Sequence, residues 1–287
     1  MKYIPQGISL GRSEGFGGLM ALSYSKMETW HAALAKAVAN RDTSDFPETL
    51  ERALGHLVDF DICMVFSYSD DQTVQCLHHN MAPEKAKIVV NRYLTGPYLL
   101  DPFYEEAKRG RRDGSCALQQ LAPDRFYRSE YYLHHYARTG IADEMGIFFP
   151  IAPDTTAILS VARQQQKRRF SRAERDAFAL AAPVVGALGD AYWQNRPSSG
   201  TLVFDLPFDA HAAIESAFKN FGQDILTTRE REVVTLVLKG HSSASIAHIL
   251  SISPGTVKIH RKNAYDKLCI SSQAELFSKF IEALNQV

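Results

Sequence analysis

Between Leu226 and Leu284 the sequence alternates helix-start and helix-stop signals at spacings that leave the backbone little choice. Thr227-Thr-Arg-Glu is a capping box: the Thr227 hydroxyl can take the N–H three residues on while Glu230 reaches back. It opens a helix over about 228–239, and Val233, Val234, Leu236, Val237 and Leu238 make that helix largely buried. Gly240 ends it. Ser242 or Ser243 caps a second, short helix carrying Ile246, Ala247, Ile249 and Leu250. Ser251-Ile-Ser is a turn, Ser253 caps a third helix, and Pro254 takes its first position, where a missing N–H does no harm. A fourth helix, about 272–285, carries Leu276, Phe277, Phe280, Ile281 and Leu284.

A short helix, a tight turn and a longer helix with basic residues in its first half is the helix-turn-helix plan. On the third helix Val257, Lys258, Arg261 and Lys262 recur at i, i+1, i+4 and i+5, and the spacing predicts that they face outward together. Ammonium and guanidinium groups on one face suit the phosphates and base acceptors of duplex DNA. A structural helical bundle with a solvated basic face would show the same spacing.

Leu226-Thr-x-Arg-Glu-Arg-Glu-Val, Gly240, Ile246-Ala, Leu250-Ser-Ile-Ser, Thr256-Val-Lys-x-His, Asn263 and Lys267-Leu268 resemble the LuxR/FixJ-type DNA-binding domain over about 60 residues. The resemblance implies a four-helix module that binds double-stranded DNA as a homodimer, with the third helix in the major groove. It implies Val257, Lys258 and Lys262 at base edges. Thr256, Arg261 and the start of the second helix would lie on phosphates. Dimerisation would run through the last helix, by Leu276, Phe277, Phe280 and Leu284. An activator of this kind would also meet RNA polymerase. The chain departs from the family at Ser243 and Ser245, where Asn and Glu are usual, at Cys269, where Gly is usual, and at Gln273, where Arg is frequent.

With 287 residues there is room for a second domain upstream. Residues 1–24 hold five glycines without period and read as a loose tail. Apolar spacing predicts helices over about 26–40 and 46–58. A hairpin follows, Ile62–Tyr68 and Thr73–His79, with Ile62, Met64, Phe66 and Tyr68 on one face. Helices are expected at 83–95, after the Asp101 cap with Pro102 behind it, and over 123–139. Glu144–Ile151 and Thr156–Ala162 read as strands, the first ending or edging at Pro150. Ser171-Arg-Ala-Glu opens a long helix that Pro183 should kink or split. The expected fold is therefore an α+β sensor domain over 25–195, an antiparallel sheet flanked by helices. A linker at 196–224 joins it to an all-α helix-turn-helix domain at 225–287.

The sensor domain's pocket should lie between sheet and helices. Its candidate lining is Phe66, Tyr93, Tyr98, Asp101, Phe103, Tyr104, Phe126, Tyr132, Tyr136 and Glu144. Aromatic faces with a carboxylate suit a small amine or other cation. The same aromatics would also serve as plain core. The element order resembles the ligand-binding half of quorum-sensing LuxR regulators or a GAF/PAS-like sensor. The Trp expected there is replaced by Ile88-Val-Val-Asn-Arg-Tyr, which argues against an acyl-homoserine lactone. No catalytic signature, metal box or phosphate loop appears, and His78-His79 and His134-His135 diverge on their elements, so no cofactor or metal is expected. A formal net charge of zero leaves any attraction to DNA to a local patch. Four scattered cysteines, with neither a signal peptide nor a membrane span, point to the cytoplasm. Two alternatives stay open: a domain that senses a protein partner, and an enzyme with an accessory DNA-binding module.

Overall fold

The computed structural model describes residues 24–71, 73–194 and 208–285. The expected tail, apart from Tyr24, and the linker residues up to 207 lie outside them. An antiparallel five-stranded sheet organises the first part, in the order β2-β1-β5-β4-β3. Its strands are β1 (Ile62–Ser69), β2 (Val74–His79), β3 (Ser115–Ala117), β4 (Ile141–Ala152) and β5 (Thr155–Gln164). The three residues of β3 are too few to show an alternating pattern, and the sequence reading missed it. β4 runs through Pro150 instead of stopping there; the pairing slips between Pro150 and Ala152, where a residue without an N–H can be accommodated.

Alternation along each strand sorts the sheet into two faces. Cys63, Val65, Ile147, Phe149 and Leu159 pack on one side against α1 (Tyr24–Ala39), α2 (Phe46–Leu57) and α7 (Arg172–Trp193). α7 starts at the expected capping box, with Ser171 and Glu174 exchanging hydrogen bonds. It stays one helix of 22 residues through Pro183. Ala181, Ala182 and Val185 are buried on either side of the proline, and this packing against the sheet holds the helix together where a hydrogen bond is lost.

On the opposite face Met64, Phe66, Tyr68, Phe148 and Ile158 meet α3 (Pro83–Leu94) and α4 (Pro102–Lys108). Gly146 of β4 is required there: a Cβ would come within 2.8 Å of the Phe103 ring. The segment 123–139 is not the single helix expected. It is a 3-10 turn at Phe126–Arg128, a π-helical turn at Tyr132–Tyr136, and a last α-turn, α6 (Ala137–Thr139). The short α5 (Leu118–Leu121) precedes it. Ser129 causes the break: its hydroxyl donates to the Phe126 carbonyl at 2.7 Å and accepts the Tyr132 N–H at 3.1 Å, competing with backbone bonding.

α8 (Phe208–Asn220) lies within the expected linker, and the C-terminal module then follows the expected order: α9 (Thr228–Leu238), α10 (Ser243–Leu250), α11 (Pro254–Leu268) and α12 (Gln273–Asn285). Thr227, Ser242 and Ser253 each accept the N–H three residues on, so the caps read from sequence are formed. Its core is continuous with the helix-covered face of the sheet. At the seam the Arg125 N–H donates to the Gly240 carbonyl at 3.0 Å, and the Ser242 N–H donates to Asp124 Oδ1 at 2.8 Å. Lys239 pairs with Glu105, and the Tyr104 hydroxyl donates to Glu215 of α8. Gly240 serves twice. Its φ of 92° ends α9, and a Cβ there would lie 2.9 Å from Phe126 Cα.

Candidate functional site

α11 presents its basic residues as a local consequence of its cap. Ser253 fixes the first turn, its hydroxyl bonding the Thr256 N–H at 3.0 Å and the Thr256 hydroxyl at 2.8 Å. From there Lys258 and Lys262, one turn apart, are both exposed, and neither forms an ion pair among the described residues. Arg261 is half-buried, with its guanidinium 5.9 Å from the centre of the Tyr265 ring. Val257 does not join them. It is 0% exposed and packs in the module's core with Ala264 and Leu268, so the outward reading of Val257 is corrected. A helix buries one stripe, and Val257, Ala264 and Leu268 at i, i+7 and i+11 are that stripe. The apolar residue on the basic face is Ile259, 60% exposed between the two lysines. The absence of any apolar partner at its i+4 position, where Asn263 stands, could have flagged it.

The assignment of Leu276, Phe277, Phe280 and Leu284 to a dimer surface is also overturned. All four are buried within the chain. Phe280 meets Phe218 and Phe221 edge-on, with ring centres 5.4 and 5.7 Å away, and Phe277 stacks on His134 at 5.1 Å. Leu284 lies against Gly96. The outer face of α12 is Ala274, Glu275, Ser278, Lys279 and Glu282, which offers no apolar stripe. The start of α10, expected on a phosphate, faces the carboxylate of Asp124 instead.

Between the sheet and α3, α4 and the π-helical turn lies a cavity of about 20 Å³. It brings together six of the ten predicted lining residues: Phe66, Tyr93, Asp101, Phe103, Tyr136 and Glu144. Tyr98 and Tyr104 sit behind it, edge-on to each other at 5.1 Å. Phe126 packs edge-on to Tyr131 and Tyr136, with ring centres 5.9 and 5.6 Å away, and Tyr132 stacks on Tyr136 at 5.7 Å. These four do not line it. Met64 and Tyr68 do, from the β1 face already recognised by alternation, as do Ser160 from β5 and His135. His135 diverges from His134, and the π-helical register that aims it inward has no signature in the sequence.

Two carboxylates face this cavity, and both are buried. Asp101 caps α4 by accepting the Phe103 N–H at 2.9 Å, while its other oxygen accepts the Tyr93 hydroxyl at 2.6 Å. Tyr93 in turn shares a hydrogen bond of 2.8 Å with Tyr68. Glu144 accepts the Tyr136 hydroxyl at 2.9 Å. No cation pairs with either acid among the described residues. Burial raises both pKa values above the carboxylate range, and the neighbouring charge of Asp101 adds to the rise at Glu144. The charge of Asp101 thus favours the protonated form of Glu144. His135 moves the other way: burial and then the charge of Arg92 lower it to about 4, so its ring is neutral.

Elsewhere Glu51, Cys63 and His78 bring ligand atoms within 4.8 Å of one another. Glu51 is engaged by Asn80 at 2.7 Å, and burial pushes the Cys63 thiol well up, which disfavours the thiolate a metal needs. No helix among the described residues is long and apolar enough to cross a membrane.

A capped basic helix in a four-helix module, joined to a sheet domain with a buried acidic cavity, defines a DNA-binding regulator. The chain belongs to the bacterial regulatory proteins of the luxR family, whose GerE model matches residues 224–280. It is 34% identical over 194 residues to a putative HTH-type transcriptional regulator in the exeN 3′ region of Aeromonas salmonicida. That alignment covers 64% of this chain and 94% of the relative. UhpA of Escherichia coli K12, a transcriptional regulatory protein, is 40% identical over 60 residues, 21% of this chain and 31% of that one. The solved VqsR LBD domain of Pseudomonas aeruginosa is similar in fold, with a TM-score of 0.52 at 28% identity. It covers 58% of this chain and 98% of that structure. The protein is a transcriptional regulator of that family.

Proposed function

We propose that this regulator is controlled by a small amine bound in the cavity of the sheet domain. The observation that carries this is the pair of buried carboxylates, Asp101 and Glu144, facing one cavity with no cation opposite them among the described residues. A buried charge without a partner is expensive, so a cation between these acids would relieve what burial imposes. Tyr93 and Phe66, with ring centres 4.8 Å apart, add aromatic faces for it. At about 20 Å³ the cavity holds roughly one water, so a ligand must displace side chains as it enters. His135 is the side chain with room to move, because a cleft of about 280 Å³ lies on its other side.

The regulator reads double-stranded DNA with α11. Lys258 and Lys262 reach base acceptors, Ile259 meets thymine methyls, and Thr256 and Arg261 hold phosphates. Two copies on half-sites one helical turn apart form the homodimer. Its action as an activator in contact with RNA polymerase, in the cytoplasm, rests on the family resemblance. The seam formed by Asp124, Arg125 and Glu105 against Lys239, Gly240 and Ser242 supports ligand control, since displacement of the π-helical turn would pull on it.

Mass spectrometry of small molecules released from the purified full-length protein tests the reading. A basic amine is expected, and it should be absent from Asp101→Asn/Glu144→Gln protein that retains the wild-type fold. Recovery of a neutral or acidic metabolite equally from both proteins would refute it.

A further inference from the structure

We infer that the cleft between the sheet domain and α12 is a second binding site, one that takes a small organic anion: a carboxylate on an apolar body. The cleft encloses about 280 Å³, enough for a small molecule and far more than the inner cavity offers. Arg92, in the last turn of α3, and Arg138, in α6, stand on its rim. Both are exposed, and no carboxylate pairs with either among the described residues. Two guanidinium groups at one opening suit a planar carboxylate, which each can bind through two parallel hydrogen bonds.

Tyr131 and His135 form the wall between them. Tyr131 and His135 are 1% and 6% exposed, and the Tyr131 hydroxyl and His135 Nδ1 have no hydrogen-bond partner among the described residues. Both side chains line the cleft. Their rings form this wall, while the two polar atoms are closed off from the cleft. His134 Nδ1 bonds the Glu130 backbone carbonyl at 2.9 Å and lies 3.3 Å from its carboxylate. Phe277 and Ile281 of α12 supply the apolar side. A bound anion would therefore touch both parts of the molecule, with its charge on the sheet domain and its body on the DNA-binding module. Occupancy would hold the two together.

The site is opposite in sign to the inner cavity and does not depend on the amine reading. Arg92→Gln/Arg138→Gln leaves Asp101 and Glu144 untouched, so failure of one proposal is distinguishable from failure of the other. The experiment is calorimetric titration of the full-length protein with benzoate, with benzamide as its neutral isostere and with inorganic phosphate. Benzoate should bind saturably, with a Kd of about 1 mM or tighter. Benzamide and phosphate should bind at least about tenfold more weakly, as should benzoate to the double variant. The comparison of benzoate with benzamide needs no variant and stands if the variant misfolds. Absence of saturable benzoate binding, equal binding of benzamide, or unchanged affinity in a folded double variant would overturn the proposal. Equal binding of phosphate would reduce the site to bare charge attraction and overturn the organic-anion class.

Discussion

Lys258 and Lys262 on α11 and the acids Asp101 and Glu144 under the sheet hold their charges in opposite ways. The lysines are solvated, one turn apart, on a helix whose inner stripe is already buried. Their charge costs the fold little and is available to any polyanion. The acids come from α4's cap and from β4, and both lie in a buried aromatic wall. Their ionisation works against the fold, and only a specific guest can relieve it. A surface charge defines a class of partner; a buried one selects a member of a class.

The sharpest way to break this contrast is to show that the module's buried residues act at a surface. Phe280→Ala should cost about 3–5 kcal/mol of stability, as for a large core side chain, with the mass in sedimentation unchanged. A shift to smaller species without loss of stability would return Phe280 to a dimer contact. Lys258→Ala should weaken specific DNA binding by about 1–3 kcal/mol and flatten its preference among operator variants. Wild-type selectivity measured in a binding-site competition would remove Lys258 from the base-reading face.

Acidity sharpens the other side. Burial holds Glu144 at about 8, well above a free glutamate. The folded chain keeps a proton that the unfolded chain has lost between pH 4.5 and about 8, so this residue makes stability fall as pH rises through that window. Glu144→Gln should flatten that fall and raise stability near pH 8 by roughly 1–3 kcal/mol, seen in urea midpoints across pH. Parallel curves for the two proteins would mean that Glu144 titrates normally. The smallest effect is at Cys269, which ends α11 at a φ of 54° where glycine is easier. Cys269→Gly should add about 1 kcal/mol of stability and leave DNA affinity unchanged.

The contrast also explains what the sequence could disclose. The helical module was legible almost throughout, because caps, stops and the spacing of Lys258 to Lys262 act within one turn of their own residues. Val257 is the exception, because its inward side is set by Ala264 and Leu268, two and three turns further on. In the sheet domain the hairpin and long strands were visible by alternation. The cavity was visible only in part, since Asp101, Glu144 and Ser160 meet through strand pairing and helix docking far apart in sequence. His135 depended on a π-helical turn, and the burial of α12 depended on its docking against His134 and Gly96, which no local pattern encodes.

The buried acid pair is tested most directly by the protons it exchanges. Titration of the full-length protein with 2-phenylethylamine near pH 7, in buffers of different ionisation enthalpy, measures that exchange. A cation seated between Asp101 and Glu144 should force both to ionise and release about one proton per site, with the neutral isostere propylbenzene bound more weakly. Binding without proton release, or equal affinity for the hydrocarbon, would contradict recognition by the buried carboxylates.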